Sequence, residues 1–384
     1  MTDAEQFEER ARALAIGPLG NRLEDVRRIA VVRGGGIGDV LFALPAIRAL
    51  ASAYPGAEVV LLGTPVAVEL FEGRLGAPHR ALVLPPARGV GAPDTARDTA
   101  PDTAAETERF LAARRDEGYD LALQMHGGGR FSNPFVLGLG ARCTAGTRTP
   151  DAEPLDRNLE YVYFQHEIAR WLEVAGLAGA PPVELEPRLR ATPGELGFAC
   201  ERFGEGPLVA VHPGATDPRR RWPAERFAAV ASALADEGAR VVIVGSSAER
   251  ELCAQVADAA ALGSESPSRV IDTAGALSIS ELVGTLARAD LMIGNDSGPR
   301  HLAQALGTTT ASVYWCGNLL NAGPFGRSRH RARVSWTMRC PVCGRGIVDD
   351  GGAEERCAHD VSFVGDVPVE TVLADARALL GATA

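Results

Sequence analysis

Short, unbroken apolar runs recur along this chain, each closed by a turn and followed by a stretch with helical spacing. "RIAVV" precedes "RGGGIGD", and the helical "VLFALPAIRALASAYPG" follows, stopped at Pro55-Gly56. "AEVVLLGT" is the next run, and "RALVLP" and "YDLALQMH" continue the series. A strand with one wet face alternates apolar and polar residues, whereas these runs are apolar throughout. They fit a parallel sheet covered by helices on both faces.

The pattern restarts after residue 207. "PLVAVHPG", "ARVVIVGS", "RVIDTAG", "DLMIGND" and "TTASVYW" read as strands. Between them lie the helices "PAERFAAVASALADEG", "AERELCAQVADAA", "SISELVGTLARA" and "RHLAQAL". Ser278 and Glu281 form a capping box, and Gly238 stops its helix. The Pro/Gly-rich stretch 178–207 separates the two series; within it Thr192, Pro193 and Glu195 start one short helix. The expectation is an α/β chain of two doubly wound, Rossmann-like domains facing each other across a cleft, 1–185 and 186–365. A terminal helix is expected within 366–384, and the first domain is one place where it could pack. Residues 88–108, with a near-repeat of Asp-Thr-Ala, read as a solvated insertion leading into a helix.

Composition narrows the chemistry. The 384 residues carry a formal charge of −10. So acidic a chain has no general field for nucleic acid, and any phosphate must be held locally. There is no lysine, which removes Schiff-base catalysis and the lysine-dependent phosphate loop. Cations at a phosphate site are therefore arginines. The acidic start lacks a signal peptide's basic and apolar regions, and no apolar run is long enough to span a membrane. The expected compartment is the cytoplasm.

Three loops stand at predicted strand ends. "GNDSGPRHLAQALG" (294–307) puts Asp296, Ser297, Gly298 and Pro299 at a helix start. The N–H groups of Ser297, Gly298, Arg300 and His301, with the helix dipole, suit an anion. Alone, the same residues also describe a well-capped helix. "HPGATDPRRRWP" (212–223) offers Thr216 and the run Arg219, Arg220 and Arg221. "RGGGIGD" is a poor dinucleotide fingerprint, because Asp39 stands where its last glycine belongs and no acid follows the next strand. Gly35, Gly36 and Gly38 let a ligand approach the backbone. Asp39 either caps the helix or is a carboxylate placed to accept a proton. A fourth feature is Cys340, Cys343, Cys357 and His359. It reads as a structural zinc knuckle or as free or disulfide-paired thiols.

"VVRGGGIGDVLFALPAIRAL", "VAVHPGATDPRRRWPAERFAAV", "VVIVGSSAERE" and "LMIGNDSGPRHLAQALG" resemble, in order, the motifs of glycosyltransferase family 9, the lipopolysaccharide heptosyltransferases. The resemblance runs through most of 29–375. It implies the GT-B fold and inverting, metal-independent transfer. The second domain would hold a nucleotide-diphosphate sugar, usually an ADP-heptose. The first would hold a glycan or lipid-linked acceptor, with peripheral contact at a membrane. Asp39 matches the family's proposed base, and Thr216 and Arg220 its phosphate contacts. Glu249 matches an acid near the ribose, with Glu251 as a rival. Asp296, Ser297, Gly298 and His301 match the donor loop. Two positions depart: Arg220 often is lysine in the family, and Arg300 stands where the family more often has methionine or another uncharged residue. No cofactor would be required for catalysis. A non-catalytic nucleotide-sugar-binding protein, a sugar-nucleotide epimerase and a dehydrogenase are the rival readings.

Overall fold

The computed structural model describes residues 15–91, 101–346 and 357–381. Most of the Asp-Thr-Ala repeat, 92–100, and the stretch 347–356 between the cysteines lie outside them. The chain divides into two compact units, Met1–Pro187 and Arg188–Ala384.

The first unit is a six-stranded sheet of β1 (Arg28–Arg33), β2 (Glu58–Gly63), β3 (Arg80–Val83), β4 (Leu121–Gln124), β5 (Cys143–Arg148) and β6 (Arg157–Glu160). The order is β3-β2-β1-β4-β5-β6 and every pairing is parallel. Its helices are α1 (Ile37–Ala53), α2 (Pro65–Phe71), α3 (Pro101–Arg115), α4 (Ser132–Gly138) and α5 (Glu167–Leu177). Helix α1 is apolar on nearly every side and accordingly buried, from Val40 to Leu50. The strand order reverses at β1, so the loop after Arg33 stands at a topological switch point, where open α/β sheets take ligands.

The second unit repeats the arrangement. Its strands are β7 (Leu208–His212), β8 (Arg240–Ile243), β9 (Val270–Asp272), β10 (Leu291–Asn295), β11 (Thr309–Trp315) and β12 (His330–Ser335). They run parallel in the order β12-β11-β10-β7-β8-β9. The helices are α6 (Pro193–Phe203), α7 (Ala224–Asp236), α8 (Arg250–Gly263), α9 (Ile279–Arg288), α10 (Gly298–Leu306), α11 (Cys316–Ala322) and α12 (Val369–Gly381). Because β7 and β10 are neighbours at the reversal, their following loops, 213–217 and 296–297, are brought side by side.

The terminal helix corrects the sequence expectation. Helix α12 belongs to the second unit: Val372, Ala376 and Leu379 join the core formed with Val211, Phe227, Ile293 and Val313. Its Asp375 also receives Arg331 and Arg333 from the edge strand β12, at 2.5–3.1 Å. An apolar face with one matched carboxylate fits this sheet. The segment ahead of α12 clamps the arginine run: Phe363 N–H donates to Arg219 O at 2.7 Å and Ser362 Oγ to Arg221 O at 2.6 Å. Trp222, 1% exposed, donates through Nε1 to Val367 O at 3.0 Å and stacks edge-on against Phe227. A side chain so placed contributes about 3–5 kcal/mol relative to alanine.

Candidate active site

In the first unit the loop after β1 is built around one carboxylate. Gly35 has φ +91°, and a Cβ there would lie 2.4 Å from Asp39 Oδ2, so glycine is required on both counts. Gly36 N–H donates to Asp39 Oδ2 at 2.8 Å. The Arg33 guanidinium donates to Asp39 Oδ1 at 2.8 Å, to Asp39 O at 2.9 Å and to Met125 O at 3.0 Å. Arg33 also bonds Glu167 Oε2 at 3.1 Å, and that oxygen accepts Trp171 Nε1–H at 2.9 Å. The Arg33 side chain is 5% exposed and that of Asp39 is 46% exposed. Asp39 thus caps α1 and leaves its carboxylate partly open to solvent. Sequence reasoning missed Arg33, Glu167 and Trp171. The signal for Arg33 was there: a charge ends an otherwise apolar strand.

In the second unit Asn295 laces the two strand-end loops together. Its Nδ2 donates to Pro213 O and Gly214 O at 2.8 and 3.3 Å, and its Oδ1 accepts Trp222 N–H at 2.9 Å. The three arginines take separate places. Arg219 binds Asp217 at 2.6–3.0 Å. Arg221 donates to Ala215 O at 2.9 Å. Arg220 crosses to the other loop and meets Asp296 Oδ2 at 3.1 Å. Thr216 is exposed beside them.

Helix α10 begins at Gly298 with Ser297 as its cap residue. The N–H of His301 is already spent on Ser297 O at 3.1 Å, which removes it from the expected anion-facing set. Its side chain takes part instead: His301 Nε2 lies 2.8 Å from Asp296 Oδ1. Burial pushes the Asp296 carboxyl up, but the hydrogen bond and electrostatic attraction from His301, followed by the Arg220 and Arg300 charges, outweigh it and hold it below the ordinary value.

Ser297 Oγ is 2.9 Å from His212 Nδ1, and His212 Nε2 is 3.4 Å from Glu249 Oε2. Chiefly through His212, with Ser246 helping against burial, the Glu249 carboxyl is drawn down to about 2. A Cβ on Gly214 would fall 1.8 Å from Glu249 Oε1, so that carboxylate packs on bare backbone. Glu251 is exposed in the first turn of α8, and Glu249 is the acid that reaches the loops. His212, another residue the sequence reading passed over, joins Glu249 to Ser297.

The donor atoms of Cys340, Cys343, Cys357 and His359 all lie within 4.8 Å of one another. Cys340 N–H donates to Arg345 O and Gly344 N–H to Cys340 O, each at 2.9 Å, making a tight knuckle. Hydrogen bonds, chiefly from the Cys343 backbone, draw the Cys340 thiol down to about 6. Three thiols and one imidazole gathered this closely fit a tetrahedral metal ion.

Two parallel six-stranded sheets, each of order 3-2-1-4-5-6, are the architecture of the GT-B glycosyltransferases. Residues 109–340 match the sequence model of glycosyltransferase family 9 (heptosyltransferase), more than half of the chain. The chain belongs to that family. The lipopolysaccharide heptosyltransferase 2 of Escherichia coli K12 is 31% identical over 204 residues, 52% of this chain and 55% of that protein. Thus the chain spans about half the length of the curated relatives it matches first. In structure it is similar to E. coli ADP-heptose lps heptosyltransferase II, with TM-score 0.70 and 22% identity over 93% of this chain and 99% of that one. It is also similar to E. coli heptosyltransferase WaaC with ADP, with TM-score 0.60 and 19% identity over 80% and 93%. Among the described residues no helix is long and apolar enough to cross a membrane.

Proposed function

We propose that this chain is an inverting glycosyltransferase of lipopolysaccharide biosynthesis. It moves a heptose or similar sugar from an ADP-linked donor to a hydroxyl of a glycan or lipid-linked acceptor, working in the cytoplasm. The observation that carries this reading is the Arg220–Asp296 bridge between two loops at the switch point, beside the N-terminus of α10. Neutralised by Arg220, Asp296 does not repel a phosphate, and the start of α10 at Ser297 and Gly298 favours one. Family membership and the likeness to WaaC with ADP favour an adenosine diphosphate.

In the reaction the acceptor oxygen bonds to the anomeric carbon as the carbon–phosphate-oxygen bond breaks. The electron pair leaves with ADP, and the hydroxyl proton goes to Asp39. Each carboxylate oxygen of Asp39 is engaged once, by Arg33 or by Gly36, and keeps a second lone pair for that proton. Thr216, Arg220 and the α10 start take the charge growing on the diphosphate; fixed donors of this kind are worth about 10²–10³ in rate apiece. Glu249 is assigned to the ribose hydroxyls. Gly35, Gly36 and Gly38 line the acceptor side.

The test is a donor screen. ADP-heptose with a lipopolysaccharide-core acceptor yields ADP, whereas GDP- and UDP-sugars do not. Tight ADP binding without transfer to any acceptor would favour a non-catalytic binding protein. Donor turnover without acceptor would favour an epimerase.

Cys340, Cys343, Cys357 and His359 would hold a structural zinc ion, whose chemistry is to lock the knuckle, with no part in transfer. Elemental analysis of gently purified protein is expected to give one equivalent of zinc. Protein without stoichiometric metal removes the site.

A further inference from the structure

Arg300 is 0% exposed, and it bonds two hydroxyls, one amide oxygen and one imidazole. It donates through Nε to Ser312 Oγ at 3.2 Å, through one terminal nitrogen to Gln304 Oε1 at 2.6 Å, and through the other to Thr310 Oγ1 at 3.3 Å. The Tyr314 ring lies 5.5 Å away. Among the described residues no carboxylate is within ion-pair distance of it. A buried guanidinium stays charged, and such a charge with no carboxylate in direct contact is costly, so its position calls for a reason.

The reason is the remaining contact, Arg300 Nη1 to His301 Nδ1 at 3.1 Å. A guanidinium only donates, so Nδ1 must offer its lone pair and the ring proton must sit on Nε2. That proton faces Asp296 Oδ1 at 2.8 Å, and the second oxygen of Asp296 holds Arg220. A second proton on the ring would set Nδ1–H against an Arg300 N–H.

Resting on the donor-site reading above, we propose that Arg300 is a positioning residue for the diphosphate. It locks His301 as the neutral Nε2–H tautomer, and through that ring it fixes Asp296 and Arg220. With the ring locked in that form, the cluster holds two arginines, one aspartate and one neutral imidazole, a net charge of +1. His301 is faced by Arg300 on its own helix and by Asp296 in the preceding loop, with Arg220 beyond. Behind Arg300 stand Tyr314 on β11 and His330 on β12. Burial and the Arg300 charge hold His330 down to about 4, so it stays neutral. Burial raises the Tyr314 hydroxyl, which stays protonated. His212, at the end of β7, meets the helix start through Ser297.

The experiment combines ring-nitrogen NMR with calorimetry on the full-length protein between pH 6 and 8. The His301 signals are assigned with His301→Gln. In the wild type His301 is expected as the Nε2–H tautomer and does not titrate. In Arg300→Met it titrates in this window. Arg300→Gln, which keeps a donor but no charge, also titrates, with Nε2–H retained at pH 8. The binding probe is ADP-glucose, a diester with no phosphate titrating near pH 7. Wild-type affinity is flat with pH. In Arg300→Met it is about tenfold weaker at pH 8 and recovers at pH 6, when a charged His301 replaces the lost cation. A merely structural role would weaken binding equally at every pH. A charged or Nδ1–H ring in the wild type, or an Arg300→Met loss independent of pH, overturns the proposal. If ADP-glucose binds neither protein, the donor-site reading fails, while the wild-type and Arg300→Gln spectra still decide the tautomer lock.

Discussion

Asp39→Asn lowers transfer by about 10²–10⁴-fold, the usual range for a general base, and leaves ADP affinity unchanged. The substitution is isosteric, and the new amide oxygen can still accept the Gly36 N–H that caps α1. Arg33 keeps Glu167 as its partner, so the buried guanidinium is not stranded and the unit stays folded. What disappears is a group able to take the acceptor's proton. Turnover is read as ADP release with acceptor present, and binding by calorimetry. Near-normal turnover would take the base role from Asp39. Weakened ADP binding would mean that Asp39 serves the donor.

Arg220→Ala weakens ADP binding by about 100-fold. One charge-assisted hydrogen bond to phosphate accounts for roughly 1.5–3 kcal/mol. The loss is at the upper end because the Asp296 carboxylate, 5% exposed, then faces the diphosphate without its arginine. Arg219→Ala is the control. Its guanidinium is occupied by Asp217 on its own loop, so its removal leaves the affinity near the wild-type value. Equal losses for the two variants would show that the run acts only as diffuse charge, and an unchanged dissociation constant for Arg220→Ala would exclude it from the site.

Most of the strands legible in the sequence were those buried on both faces. "RIAVV", "AEVVLLGT", "PLVAVHPG" and "DLMIGND" all lie in sheet interiors, where water is absent and only apolar side chains are tolerated. Strands β6 (RNLE) and β12 (HRARVS) escaped notice because they are edges whose polar and charged residues leave no apolar run, unlike the edges β3 (RALV) and β9 (VID). On β12 the arginines are partnered by Asp375, more than forty residues later, and no local pattern announces that pairing. Strand β5 (CTAGTR) is buried yet made of small residues: a Cβ on Gly146 would meet the Gln124 side chain at 2.7 Å. A close approach between strands leaves no apolar run to read.

At the candidate site the loops themselves were legible, since Gly, Asp, Ser and Pro at a strand end have local steric and capping reasons. Their partners were not. Arg33 to Glu167, His212 to Glu249 and Arg220 to Asp296 each join residues far apart in the chain. Nor does the run of three arginines say which one is free to cross to the neighbouring loop; Asp217 and the Ala215 carbonyl settle that by occupying the other two.

By itself the sequence determined two parallel sheets, turns of bare backbone at their carboxyl ends, and arginine as the only strong cation. These follow from rules that act within a few residues: burial, helix capping and the freedom of glycine. Only the tertiary structure decided the strand order that sets two loops side by side, the sheet that receives the last helix, and the carboxylate each arginine meets. Hydrogen bonds and ion pairs act over a few ångströms in space, and folding alone brings residues 220 and 296 within that reach.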